Sequence, residues 1–479
     1  MIIEQLPQRW TLGGNVRRVR RWAGTTPGHL RTLSTTIIAT AVAMATVGAG
    51  AFGAAAVTVG DIHHRTVPAI IGMERIHALL SDADRSSANA YLAGGADATL
   101  ALWRYTSDLA AVNRQLQVAS ANNPEGEVGS RRLQAIAGLV AYYAQLEQTA
   151  TSDARQTLPR GTVFLQAGSD LMHQPTSGIL AQVDALRDIY VASLHRADLT
   201  LQIAIVLLAV YTVVAGAVLV LLLHTQRYVR VRFRRRRNHR LVAATLVLLL
   251  VSAATALESV QAAQAVRGAE SRSYPRLVTL WQARALAYDA NRTEGLAVIA
   301  KGDAASFDRG FQASMSALVD RTLTNDMVQA AAQGTVSFNG LIADELRAAA
   351  SARERGLAME VLRAYQRFVA ADAAVRARVQ KGDDTGATFL ALGTAPGQLV
   401  FAFDELDYSL GTIIQAVQDE FDATIGSAEP PLRAAVAIQV LALAIAGLAF
   451  LGLRPRIAEY TVGAGAVEGR GRGRAARRT

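Results

Sequence analysis

The sequence predicts an all-α membrane protein with four transmembrane helices and two tandem extracytoplasmic four-helix-bundle domains related by internal duplication. Three observations carry that fold class. Four apolar runs of membrane length have no Asp, Glu, Lys or Arg inside them. Two long polar stretches of helical periodicity separate the first run from the second and the third from the fourth. A loop of eight arginines in fourteen residues, Arg227–Arg240, divides the chain near its middle, and the layout of the N-terminal half recurs in the C-terminal half.

Composition agrees with that mixture. The 479 residues are 51% hydrophobic, too apolar for an ordinary soluble protein, yet only 6% are aromatic, which with abundant Ala and Leu favours helix over sheet. With no cysteine there is no disulfide, thiolate metal site or cysteine nucleophile. The formal charge of +10 is confined to three places. Residues 1–34, 227–240 and 454–479 together carry +18, and the rest of the chain carries −8. A nucleic-acid binder needs a basic face on a folded domain, so no nucleic-acid partner is expected. Basic segments flanking apolar runs are the signature of cytoplasmic loops, which places both termini in the cytoplasm of a multi-pass plasma-membrane protein.

In order, the reading is a cytoplasmic Arg-rich tail (1–32), a first span (33–59), a first bundle (60–198) and a second span (199–224). The Arg-rich loop (225–240), a third span (241–257), a second bundle (258–433), a fourth span (434–453) and a disordered basic tail (454–479) complete the chain. The first span is read as a retained anchor, because its apolar run far exceeds a signal-peptide core; a cleaved signal is the competing reading. Its Gly48, Gly50 and Gly53 would permit close helix contact. In the first bundle, helices are expected over Pro68–Ala93, Ala98–Ala121, Gly126–Thr157 and Ser177–Ala197, with an irregular stretch through Gly168 and Pro175. Ile76, Leu79, Leu80, Ala83 and Ala90 form the inward stripe of the first helix. The second bundle breaks at Gly302, Gly334, Gly340, Gly382 and Pro396–Gly397.

A shift of 207 residues aligns Pro68, Asp82, Ala83, Arg85 and Gly95 with Pro275, Asp289, Ala290, Arg292 and Gly302. Further on, with small gaps, Asp184 meets Asp404. Matches in the same order along both halves point to duplication, which would let one chain form a pseudo-dimer.

The recurring pairs Asp82/Arg85 and Asp289/Arg292 are the extracytoplasmic site candidates. Arg85 lies about 180° from Ile76 around the helix and projects away from the core stripe. One reading is a solvated i,i+3 ion pair. The other puts both arginines between the bundles, holding a carboxylate ligand or a partner's acidic surface. On the cytoplasmic side, Arg230, Arg232, Arg234, Arg235, Arg236, Arg237, Arg454 and Arg456 suit anionic lipids or an acidic partner. All eight histidines precede residue 240 and none, His63-His64 included, sits in a metal-helix spacing. Without nucleophile elbow, phosphate loop or zinc signature, no enzyme, metal or cofactor is expected. Asp383-Asp384 reads as an exposed turn. Spans free of charge argue against a transport-associated or channel subunit, the alternative function.

Each bundle resembles the four-helix ectodomains of chemoreceptors and sensor kinases. The layout from Leu33 to Tyr460, with LRPRIAEY at 453–460, resembles the GlnX-like actinobacterial four-span signalling proteins. That resemblance implies a sensor relay: an extracytoplasmic solute-binding lipoprotein senses an acidic amino acid, and the membrane protein passes its state to a cytoplasmic Ser/Thr protein kinase.

Overall fold

A computed structural model describes the backbone of residues 26–92, 95–154, 158–233, 238–299 and 304–475. Within those spans it leaves out the side chains at 26–27, 91–92, 95–97, 152–154, 158–162, 232–233, 292–299, 304–308, 456–457 and 459–475. The described residues are helical almost throughout and contain no strand. They divide into two compact units. One gathers the described residues up to Thr58, Leu199–Ala263 and those from Ala428; the other gathers Val59–Asp198 and Gln264–Ser427.

The first unit is built from parts of four helices: α1 (Thr26–Asp61), α6 (Ile179–Phe233), α7 (His239–Gly268) and α15 (Glu429–Ala475). Each is long and apolar enough to cross a membrane, which supports a multi-pass membrane protein. All four contribute to one apolar core that includes Ile37, Met44, Tyr211, Leu222, Leu248 and Ile445. Their outward faces are apolar as well: Ile205, Val213, Leu250 and Val440 are each more than 60% exposed. That distribution suits lipid as the surrounding medium. Gly48 permits the close contact expected of it. A Cβ there would lie 2.5 Å from the Gln439 amide oxygen and 3.0 Å from the Tyr211 ring. Gly50 and Gly53 do not, since a Cβ on either meets nothing within 4 Å. Gln439 itself donates to Thr255 Oγ1 (3.2 Å) and to the Ala435 carbonyl (3.3 Å) inside this core. At the loop end of α7, Arg240 donates to the Leu451 carbonyl (2.7 Å) and Asn238 to the Gly452 carbonyl (2.9 Å).

The second unit holds both polar regions. The first bundle comprises α2 (Val67–Leu92), α3 (Gly95–Ala121), α4 (Gly126–Ala154), α5 (Leu158–His173) and the start of α6. Its core includes Ile76, Leu80, Val112, Ile136, Val140, Tyr143, Leu186 and Tyr190. Helix α5 corrects the irregular stretch expected there. Pro159 falls in its first turn, where the missing N–H costs nothing, so a proline-glycine pair that reads as a stop begins a helix instead.

The second bundle comprises α8 (Tyr274–Ile299), α9 (Ala304–Leu318), α10 (Asn325–Ala332), α11 (Leu341–Ala348), α12 (Ala352–Gln380), α13 (Asp384–Leu392) and α14 (Leu399–Gly426). It therefore has more, shorter helices than a plain four-helix bundle. Gly334, Gly340, Gly382 and Gly397 all sit at positive φ, at the breaks that sequence predicts; Gly302 lies outside the described residues. Gly340 (φ +113°) has no substitute, because a Cβ there would come within 2.4 Å of the Leu318 carbonyl oxygen. Asp383 accepts from Gly386 N (2.9 Å), so the Asp383-Asp384 turn is a helix cap.

Two local features recur between the halves. A π-helical segment, Ile62–Thr66, leads into α2, and another, Ala269–Ser273, leads into α8. Each ends two residues before a proline, Pro68 or Pro275, whose ring opposes the carbonyl four residues back. A wider turn at that carbonyl relieves the clash. Both the π segments and the helices after them have equal lengths and the same 207-residue offset.

At the other end of the chain α15 continues to Ala475, where sequence predicts disorder beyond Tyr460. Only glycines interrupt that segment, and glycine weakens a helix without blocking it; the same helix also runs through Pro455.

Candidate functional site

Helix α2 packs against α8 within the second unit. The face of α2 opposite Ile76 is therefore covered, and Arg85 is buried on it with 7% exposure. Its Nε and Nη2 donate to Asp82 Oδ1 at 3.0 and 2.6 Å. Asp404, on α14 of the second bundle, lies 3.8 Å from Arg85 and accepts from Arg104 of α3 at 2.9 Å. The Arg85 guanidinium also stacks over the Phe403 ring at 4.9 Å. Two arginines of one bundle thus share a carboxylate of the other.

The solvated ion pair is corrected by this geometry. In an isolated bundle the far side of α2 would face water; here the second bundle dries it. Burial opposes the charge on Arg85, but Asp82 and Asp404 outweigh that and hold it more firmly protonated than usual. Burial likewise raises Asp404 above the ordinary carboxylate range, against the lowering pull of Arg85 and Arg104. Asp289, the counterpart of Asp82, instead accepts from Ser314 Oγ at 2.8 Å. The side chain of Arg292 lies outside the described residues.

Behind this seam, the first bundle buries a cluster of acids that the sequence reading missed. Asp84 accepts from Tyr143 OH (3.1 Å) and bonds the His173 ring (2.9 Å). Glu147 accepts from Ser87, and its other oxygen has no partner among the described residues. Burial, joined by Asp84 and opposed by the Ser87 bond, pushes the Glu147 carboxyl up to about 8. Asp108 rises to about 7 from burial and the nearby Asp82, against Arg85 and Arg104. The signal was present in the spacing. Asp84 follows Leu80 by four residues, and Glu147 continues the run Ile136, Val140, Tyr143, so each polar residue occupies a core position of its helix.

Of the cytoplasmic candidates, Arg230 and Arg454 are exposed, and Arg454 lies over the Phe450 ring at 5.9 Å. Arg234, Arg235, Arg236 and Arg237, and the side chains of Arg232 and Arg456, lie outside the described residues.

Residues 58–198 match the family model described as an actinobacterial sensor domain. The match spans the first bundle from its π segment to the start of α6. It supports an actinobacterial sensor protein, and a sensing domain of this kind implies a non-enzymatic role. No curated protein and no solved structure matched the chain.

Proposed function

We propose that the chain is a plasma-membrane signal relay whose two polar bundles are duplicated copies of one sensor unit. The observation that carries the reading is the sensor-domain match over residues 58–198 in a chain where Gly28–Ala90, Ile179–Val231, His239–Asn291 and Leu399–Pro455 are each a single helical stretch with a membrane-length apolar window. Helices shared between a sensing bundle and a span can carry a displacement of ~1–2 Å, the usual scale of such switches. The extracytoplasmic signal is a nutrient, an amino acid delivered by a solute-binding lipoprotein, with Asp82, Arg85, Asp289 and Arg292 as the contact or ligand residues. The output goes to a cytoplasmic Ser/Thr protein kinase through the arginine loop and the arginines after the fourth span, which also hold anionic lipid. Basic residues at Arg227–Arg240 favour the orientation with both termini inside. The recurrent π segments and the common 207-residue offset support the duplication.

Co-purification from native membranes in mild detergent tests the relay, and recovery of both a binding lipoprotein and a Ser/Thr kinase is expected. Clean isolation with neither overturns it. Amino-acid flux through the purified protein in liposomes would establish the transport-associated alternative. Reporter fusions that place Arg227–Arg240 outside would reverse the topology.

A further inference from the structure

The second unit contains an open pocket of about 540 Å³, away from the Arg85 seam. That volume lies within the range of ~300–1,000 Å³ that small-molecule sites occupy. Ile71 and Arg75 of α2 form one wall, Trp281 and Arg284 of α8 another, Arg353 of α12 a third, and α14 closes it with residues from Asp407 to Asp419. We propose that this pocket binds a small organic acid through Arg75 and Arg353, with Trp281 as one of its walls.

The charges favour an anion. Arg284 is already matched, since its fork grips both oxygens of Asp407 at 2.7 and 3.0 Å and its guanidinium lies over Trp281 at 5.4 Å. Arg75 and Arg353 are exposed and make no ion pair among the described residues. Against these two cations stands Asp419, which accepts from Gln415 at 2.8 Å. The pocket therefore offers two unmatched guanidinium groups and one carboxylate. A carboxylate ligand suits the planar fork of arginine better than any other small anion of biological size except phosphate.

Trp281 forms part of the wall. It is 5% exposed, and its Nε1 is buried without an acceptor among the described residues. Protein atoms cover that nitrogen, so Trp281 lines the pocket through its other atoms and does not offer its N–H to a ligand. Asp419 would distinguish an amino acid from a plain acid, because an ammonium beside the ligand carboxylate would find its counter-charge there. Occupancy would tie α2 of the first bundle to α8, α12 and α14 of the second.

The test uses the full chain in nanodiscs and calorimetric titration with succinate, L-aspartate and 1,5-diaminopentane, with indole fluorescence read in parallel. Binding of either acid and none of the diamine is expected. Arg75→Ala and Arg353→Ala, both at exposed positions, should each weaken the acid by about tenfold or more. Trp281→Phe should leave the affinity nearly unchanged and abolish the fluorescence response. Tighter binding of aspartate than succinate, cancelled by Asp419→Asn, adds the ammonium contact; equal affinities support a plain carboxylate site. Silence with both acids at concentrations on the order of 10 mM, or affinities unchanged in both arginine variants, overturns the site. Phosphate competing as well as succinate would also overturn the carboxylate assignment. The pocket needs no partner protein. Recovery of the binding protein and kinase alongside silent titrations would therefore remove this site and leave the relay standing.

Discussion

Glu147→Gln should make the protein markedly less sensitive to pH. The native carboxyl sits at about 8 against an ordinary value of 4.5. It faces Asp84 and Ser87 of α2, Tyr105 of α3, Tyr143 of α4, and His173 of α5 through Asp84. The folded state therefore holds a proton that the unfolded chain gives up. That favours folding fully below pH ~4.5, and the advantage is lost as pH rises towards about 8. At ~1.36 kcal/mol per pH unit, the loss reaches about 3 kcal/mol at pH 7 and up to about 5 kcal/mol once the native group ionises. Glutamine keeps the volume and can accept from Ser87 but cannot ionise. The unmet amide donor costs about 1 kcal/mol at every pH. The variant should thus be slightly less stable than wild type at pH 4.5 and about 2 kcal/mol more stable at pH 7. Urea unfolding in detergent, followed by circular dichroism at half-unit steps, gives both curves. A difference between them that stays flat from pH 4.5 to 8 would refute the buried-proton reasoning.

Further substitutions probe the seam and the membrane unit. Arg85→Ala leaves Asp82 short of a cation and Asp404 with Arg104 alone, in a contact that is only partly screened, at a cost of about 2 kcal/mol; Arg85→Lys should recover little, because an ammonium cannot reproduce the fork or the stack on Phe403. Chemical denaturation of both variants measures the pair. Gly48→Leu should destabilise by about 1–3 kcal/mol through overpacking against Gln439 and Tyr211, whereas Gly50→Leu should be neutral, as thermal unfolding in detergent would show.

Hydropathy and arginine placement made the four spans and two polar regions legible, because span length and charge exclusion are one-dimensional properties. Helix α5 was hidden because Pro159-Arg160-Gly161 reads as a stop when the proline in fact opens the helix. The i,i+3 spacing of Asp82 and Arg85 was visible too. Its burial was not, since the partner that dries it, Asp404, is more than 300 residues away and no helical period links the two. Counting only charged residues in the spans also passed over Gln439, whose amide reaches Thr255. Distance along the chain, more than chemistry, set what the sequence could reveal.

The proposed duplication would give the seam a physical origin. At the 207-residue offset His77 corresponds to Arg284, and at the later offset Asp184 corresponds to Asp404. In the first bundle His77 keeps Asp184 at home with a 3.1 Å bond between α2 and α6. In the second bundle Arg284 has a longer reach and takes Asp407 instead, one turn further along α14. Asp404 meets Arg104 and Arg85 of the other bundle. One change of side-chain length would then convert an internal brace into a contact between copies. The two aspartates should accordingly differ when neutralised. Asp404→Asn should speed hydrogen exchange in α2, α3 and α14 together, although its partial exposure limits the loss to about 1 kcal/mol. Asp184→Asn should loosen only α2 against α6. Equal and local effects from both substitutions would mean that Asp404 does not hold the bundles together, and the seam would lose its claim to couple them.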